Sequence, residues 1–444
     1  MAIKRFFILL IIFTLTSFAY AEETVTLTIA GNASSEKIDA YSQSHPGVAI
    51  KWMSVEDDTE LIQEALSRSD TIDVYCLDSM SSITYRNLRD KGYFMALDDP
   101  EILKIIGSCY PELQQMCTAG GEFCAVPFGM IGQGILGVDL DVWYRLGLSD
   151  EDLPDTWPEA LRFMIERWPD IAAEHENVCL FQIYDRDEQM GMFLHWIEHD
   201  YEGRRMHSNY TMGYDTPEFR ETLTLFEQLY AMLGEYGRDD AEYTLFEAGY
   251  VPTVSESWMN KRGLPLAFKE GETPCWPVDV LLLAINPESK HKEEALELMK
   301  YAFENADLEE RMEMCPGMNE PVVDENYLEA VDEYDAAKQV YEAQLAAAQD
   351  DADKRQIEND WNAYDAEMQD FFAVYKYNPS PRSIAAYRKA VKDTITPIYA
   401  TTISREEYHA LNARRKQFLN GEITADQYID ELERRFVMRT REGE

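Results

Sequence analysis

The sequence predicts an α/β protein folded as two lobes. Strand-like and helix-like segments alternate three times through residues 25–90, the order that builds a largely parallel sheet with helices on both faces. The chain has 444 residues, more than one hydrophobic core usually serves.

Val25 to Ile29 alternates and is rich in β-branched residues, as a strand with one buried face should be. Ser34 and Ser35 are candidate caps for a helix that His45-Pro46-Gly47 ends. Val48 to Met53 reads as the second strand and Thr59 to Arg68 as an amphipathic helix. Ile72 to Leu77 reads as the third strand, with Asp78-Ser79 at its end. Open α/β sheets bind ligands beyond the carboxyl ends of their strands, which makes Asn32, Glu56 and Asp78 candidate ligand contacts. From Asp324 to Tyr377 there is no glycine or proline. Tyr327, Val331, Tyr334, Tyr341 and Leu345 follow helical spacing, as do Trp361, Tyr364, Met368 and Phe371. With "AAAQDDADKR" as the turn, residues 324–376 form an inserted helical hairpin whose aromatic stripe serves packing.

The N-terminus carries Lys4 and Arg5, an apolar run from Phe6 to Phe18, and Ala19-Tyr20-Ala21. This is a signal-peptide pattern, so residues 1–21 are expected to be cleaved and the mature chain to begin at Glu22. The run is shorter than the ~20 residues of a membrane-spanning helix, and no cysteine follows it to take a lipid. The protein is therefore expected outside the cytoplasm, periplasmic or extracellular. With 40 Lys and Arg against 83 Asp and Glu, the net charge of −43 repels nucleic acid. Seven cysteines leave at least one free or paired between chains in an oxidising compartment. Cys109, Cys117 and Cys124 are near enough in sequence to offer a bridge, and no C-x-x-C spacing suggests zinc.

Two motifs invite catalytic readings. Gly132-Gln133-Gly134-Ile135-Leu136-Gly137 fits the dinucleotide fingerprint G-x-G-x-x-G, which requires a strand before it and a helix opening on it. Here Gly134 to Val138 continues as strand and the helix starts near Asp139. Asp152, at the distance of a ribose ligand, lies in a loop and helix cap. No nucleotide cofactor is expected. His195-Trp196-Ile197-Glu198-His199 fits the zinc pattern H-x-x-E-H, with both imidazoles on one helical face. A catalytic zinc needs a third ligand, and in so acidic a chain a downstream Glu carries no information. The motif remains an alternative, an exported zinc hydrolase. There is no G-x-S-x-G and no phosphate-binding G-x-x-x-x-G-K. The protein is expected to hold no metal or cofactor and to be no enzyme.

"GGEFCAVPFGMIGQGILGVDLDVWYRLGLSDEDLPDTWPEALRFM" resembles the central segment of extracellular solute-binding proteins of ABC importers, the family that includes maltose-binding protein. The matching pieces are Gly121, Phe123, Val126-Pro127, Trp143, Gly147-Leu148 and Leu153 to Glu159. Asp139 departs from the family's usual Asn. "DVLLLAINPESKHKEEALELMKYAFE" (279–304) resembles its returning strand and helix, and "FLNGEITADQYIDELERRF" (418–436) its C-terminal helix-turn-helix. The resemblance covers the mature chain except the hairpin. It implies a two-lobed periplasmic-binding-protein fold with an interlobe hinge. Lobe one would hold 22–127 and 279–320, and lobe two 128–278 and 321–444. It also implies capture of a small polar solute, a sugar or oligosaccharide before other solutes, by a monomer that delivers it to a membrane ABC permease.

On that reading the glycines of 132–137 give backbone freedom or close approach just past a hinge crossing. Gln133 would face the cleft, joined from lobe two by Trp196 and Trp258. Trp258 would follow a strand at Tyr250 to Val254. Trp276 precedes the return crossing, and Arg382 and Tyr387 lie in "NPSPRSIAAY", which resembles the segment where an aromatic residue stacks on sugar. Eight tryptophans and 26 tyrosines supply flat faces for sugar rings.

Overall fold

A computed structural model describes residues 24–442 except 32–35, 54–62, 64, 66, 68–69, 80–82, 184, 209–210, 237–240, 256–260 and 398–404. The signal-peptide assignment, Asn32, Glu56 and Trp258 lie outside the described residues. The β-branched runs become strands as their patterns require. Val25–Gly31 (β1) pairs in parallel with Val48–Met53 (β2) on one side and Val74–Asp78 (β3) on the other. Glu36–Ser44 (α1) connects the first two strands and buries Ile38 and Tyr41. The sheet is completed by Val126–Gly132 (β4), Trp276–Ile285 (β8) and Ile395–Pro397 (β9). The long β8 runs antiparallel to β3 over 281–285 and to β4 over 278–283, and parallel to β9 over 276–278. Leu27, Ile29, Val74, Leu77, Val280 and Leu283, all fully buried, form the centre of this first core.

Only Gln133 and Gly134 separate β4 from Ile135–Asp139 (β5), the middle strand of a second sheet. There β5 lies antiparallel to Phe246–Tyr250 (β6) and Lys261–Leu264 (β7). Helices cover this sheet, chiefly Arg186–His207 (α3), and the second core gathers Trp143, Trp157, Phe193, Phe226 and Phe246. Asp139 caps the helix after β5 by accepting from the Asp141 and Val142 amides at 3.0 Å, so the helix begins after the glycine motif, too late to receive a pyrophosphate. The expected strand 250–254 lies earlier, at 246–250, with a register shift between Ala248 and Tyr250.

After β8 the chain forms Lys292–Glu304 (α4) and Leu308–Met314 (α5), both on the first core. The hairpin follows as Glu325–Ala347 (α6) and Asp351–Val374 (α7). Its aromatic stripe packs between its own helices: Tyr341 stacks on Trp361 at 4.8 Å and Tyr327 meets Phe372 edge-on at 5.4 Å. No residue of α6 is buried. At its base the Asp324 amide donates to the Lys376 carbonyl at 3.2 Å and the Asn378 amide to that of Val322 at 2.8 Å. Pro381–Val391 (α8) then returns to the first core through Ile384, Tyr387 and Val391. The two cores thus divide the chain elsewhere than at the expected boundaries: 128–132, 276–278 and 381–397 belong with the first sheet. The C-terminal helices Arg405–Leu419 (α9) and Ala425–Glu442 (α10) pack on the second core through Leu411, Phe418, Tyr428 and Leu432. Among the described residues no helix is long and apolar enough to cross a membrane.

Candidate functional site

The carboxyl end of β3, the start of β8 and the end of β4 meet at one edge of the first sheet. Ser79 accepts from the Val280 amide and donates to Asp279 Oδ1, both at 2.9 Å, beside half-buried Asp78. Asp279 registers with Ile131, which is 53% exposed although apolar. Two residues on, the Gln133 amide donates to the Pro277 carbonyl at 2.9 Å and its carbonyl accepts from Trp276 Nε1 at 3.0 Å. The Gln133 backbone is therefore fixed at the crossing while its half-buried side chain carries the amide.

The glycines here serve close approach. A Cβ on Gly132 would stand 2.3 Å from Trp276 Cζ2, and one on Gly134 would stand 2.5 Å from the Cα of Gly249. Gly249 has φ +84° and presses its backbone against the Trp196 indole. Contact thus runs from Gly134 through Gly249 to Trp196, which puts the half-buried Trp196 ring beside the crossing. Asp78, Gln133 and Trp196 are the candidates the fold brings to this junction. Asp279, Ser79 and Ile131 join them; the signal for Asp279 was its place at the start of the returning strand.

Trp276 and Tyr387 are placed otherwise. Trp276 is 1% exposed and Tyr387 2%. Their rings pack edge to face at 6.0 Å, and the Tyr387 hydroxyl donates to the Glu313 carbonyl at 3.1 Å. Both rings are enclosed in the first core, so neither offers a face for stacking, and the expectation for them is corrected on that ground. Arg382 is exposed near the start of α8. A separate cavity of about 540 Å³ lies in the second lobe, lined by Phe181, Met190, Phe193, Phe246 and Lys261, and shares no residue with the junction.

The H-x-x-E-H residues do lie on one buried face of α3, but Arg415 of α9 occupies the space between them. Its guanidinium contacts Glu198 at 2.6, 3.0 and 3.2 Å and His195 Nδ1 at 2.8 Å. Tyr428 donates to the same carboxylate. Burial, then His199 and Arg415, hold the His195 imidazole well below its usual pKa. A fixed cation on the carboxylate and one imidazole opposes a second cation there. Among the described residues no group of three or more His, Cys, Asp or Glu is arranged to hold a metal ion.

No protein-family model matches this sequence, and no curated protein matches it either. Among solved structures, the binding protein msme from Bacillus subtilis subsp. subtilis, in an open conformation, superposes with a TM-score of 0.53 at 12% identity. That match covers 95% of this chain and 99% of that one. A cyclic alpha-maltosyl-1,6-maltose binding protein from Arthrobacter globiformis aligns at 15% identity over 92% of this chain and 97% of its own, with a TM-score of 0.49. A sugar transporter protein from Bacillus licheniformis in complex with stachyose does so at 14% identity over 93% and 99%, with a TM-score of 0.48. The last two superpose too loosely to bear on function. With a six-stranded and a three-stranded sheet, two cores and a crossing at Gln133-Gly134, the chain has the two-lobed α/β fold of the periplasmic binding proteins.

Proposed function

We propose that this chain is the exported solute-binding component of an ABC importer. It works as a monomer, cleaved after Ala21, and captures a small polar solute between its lobes. A sugar or oligosaccharide is the favoured ligand. The observation that carries this is the junction itself: a half-buried indole, a carboxylate pair and an amide gathered where the chain passes from one core to the other. Trp196 offers a flat apolar surface to a sugar ring, while Asp78, Asp279 and Gln133 can hydrogen-bond hydroxyl groups. Ligand touching both lobes favours the closed form, which the permease would read. Catalysis finds no support at H-x-x-E-H, where Arg415 fills the place of a metal.

The test is a thermal-shift screen of the mature chain against mono- and oligosaccharides, polyamines and amino acids. A true ligand at 100 times its dissociation constant adds ~2.7 kcal/mol to stability and raises the melting temperature accordingly. A response to polyamines or amino acids alone would reject the sugar class. Absence of any response, with one equivalent of zinc in the purified protein, would reject solute binding.

A further inference from the structure

Cys109 and Cys315 are far apart in sequence and adjacent in space. Cys109 follows Pro100–Ser108 (α2) and Cys315 follows α5, each as the helix's C-terminal cap. Their sulfurs are 3.9 Å apart across a separation of 206 residues, and both side chains are buried. Ser108 Oγ lies 3.4 Å from the Cys315 sulfur. The surrounding frame is tightly held. The Tyr110 amide donates to the Met314 carbonyl at 3.0 Å. Arg388 of α8 donates to the carbonyls of Met312, Cys315 and Met318 at 2.6, 3.0 and 2.9 Å, and to the Tyr110 hydroxyl at 3.0 Å. The bridge that sequence spacing offered within 109–124 is not prepared in the same way: the Cys124 thiol points to the Cys117 carbonyl, at 3.4 Å.

We infer that Cys109 and Cys315 are the chain's disulfide site, closed by a low-molecular-weight or protein disulfide oxidant and tying α2 to α5. Closure needs only that the sulfurs come from 3.9 Å to a bond of ~2.05 Å, a change within reach of side-chain rotation. The roles of the two sulfurs differ. Hydrogen bonds from Cys109 and Ser108, with the charges of Arg388 and Arg311, draw the Cys315 thiol below its usual range despite burial. The hydrogen bond to Cys315, and then burial, hold Cys109 up. Cys315 is thus the attacking thiolate. With glutathione disulfide as oxidant, Cys315 attacks one glutathione sulfur, the glutathione S–S bond breaks, and the first glutathione thiolate leaves. Cys109 then loses its proton and attacks the Cys315 sulfur, expelling the second. Two protein thiols are oxidised, one small disulfide is reduced to two thiols, and the two protons pass to them. Because both sulfurs are buried in the folded chain, the exchange takes place in a near-native chain whose α2–α5 frame has formed but still admits the oxidant.

The experiment refolds the reduced mature chain with and without a glutathione–glutathione disulfide couple, alkylates free thiols and maps the peptides. The oxidised sample should carry two fewer alkyl groups, a linked peptide pair containing Cys109 and Cys315, and a melting temperature higher by about 5 °C. Cys109→Ser and Cys315→Ser should each abolish the loss of alkylation, while Cys117→Ser leaves it intact. Full alkylation after oxidation, or a bridge mapped to any other pair, would overturn the inference. The wild-type map decides the matter even where a Ser variant folds poorly. It also depends neither on export nor on solute binding, so its failure would leave the proposed function standing.

Discussion

Replacing Glu198 by Gln should be among the most damaging near-isosteric changes in the second lobe. Glu198 is 4% exposed and Arg415 1%. The carboxylate receives three contacts of 2.6–3.2 Å from that guanidinium, and Tyr428 donates to it as well. Glutamine keeps the shape but leaves a buried cation without its counter-ion, a loss of about 3–5 kcal/mol, or a melting point lower by about 10 °C. Arg415→Met strands the carboxylate and should cost a similar amount. The double variant Glu198→Leu/Arg415→Met removes both charges and fills the volume with apolar atoms. It should cost well under the sum of the two single changes, with a coupling of at least about 2 kcal/mol. Urea unfolding of the parent, Glu198→Leu, Arg415→Met and the double variant, followed by circular dichroism, measures that coupling, and Glu198→Gln supplies the charge-only comparison. Additive losses, or Glu198→Gln within about 0.5 kcal/mol of the parent, would show that the pair is not the tie between α3 and α9. Finding a tightly bound zinc lost in His195→Ala would refute the whole reading of the motif.

Three further outcomes are expected. His195 is held well below the usual imidazole value of 6.5, chiefly by burial, so the folded chain keeps it neutral where the unfolded chain takes up a proton. Stability from this group is therefore lost as pH falls below 6.5, and His195→Asn should remove that part of the slope. Asp200, raised by burial above 3.8, adds the opposite slope, so the difference between parent and variant is the quantity to read. Deleting 325–375 and joining the ends with a short Gly-Ser linker should leave the melting temperature within about 2 °C, measured by calorimetry. A larger fall would show that the lobes lean on the hairpin. Trp196→Ala should weaken binding of the solute found by screening by ~1–3 kcal/mol, read by titration calorimetry. Unchanged affinity would remove Trp196 from the site.

The sequence made the local order legible because local order is written in periodicity. Strands at 25–31, 48–53 and 126–132, the hairpin and the helix cap at Asp139 all follow from patterning within a few residues of each position. What failed depended on partners far along the chain. Trp276 and Tyr387 looked like ligand contacts because nothing nearby says that their rings close on each other, with Gly132 against Trp276. The H-x-x-E-H motif is defused by Arg415, which stands 217 residues after Glu198. That α8 turns back to the first core after the hairpin was not legible, because the turn is set by the burial of Ile384 and Tyr387 rather than by a break in composition. At the glycine motif the strand that follows it, 135–139, and the helix start after Asp139 were legible from the residues themselves. Which atoms crowd each glycine was beyond reach, because Trp276 and Gly249 arrive from other strands.

The hairpin base gives the molecule a mechanical property as well as an ornament. Val322 packs on the first core, and the stem at 322–324 and 376–379 is hydrogen-bonded across. A helix of 23 residues is ~35 Å long, so a tilt of about 10° at that stem carries the tip some ~6 Å. The turn near Gln349 is thus a pointer rooted in one lobe. A spectroscopic label there, paired with another on the surface of the second lobe, would convert small interlobe rotations into large, readily measured changes of distance.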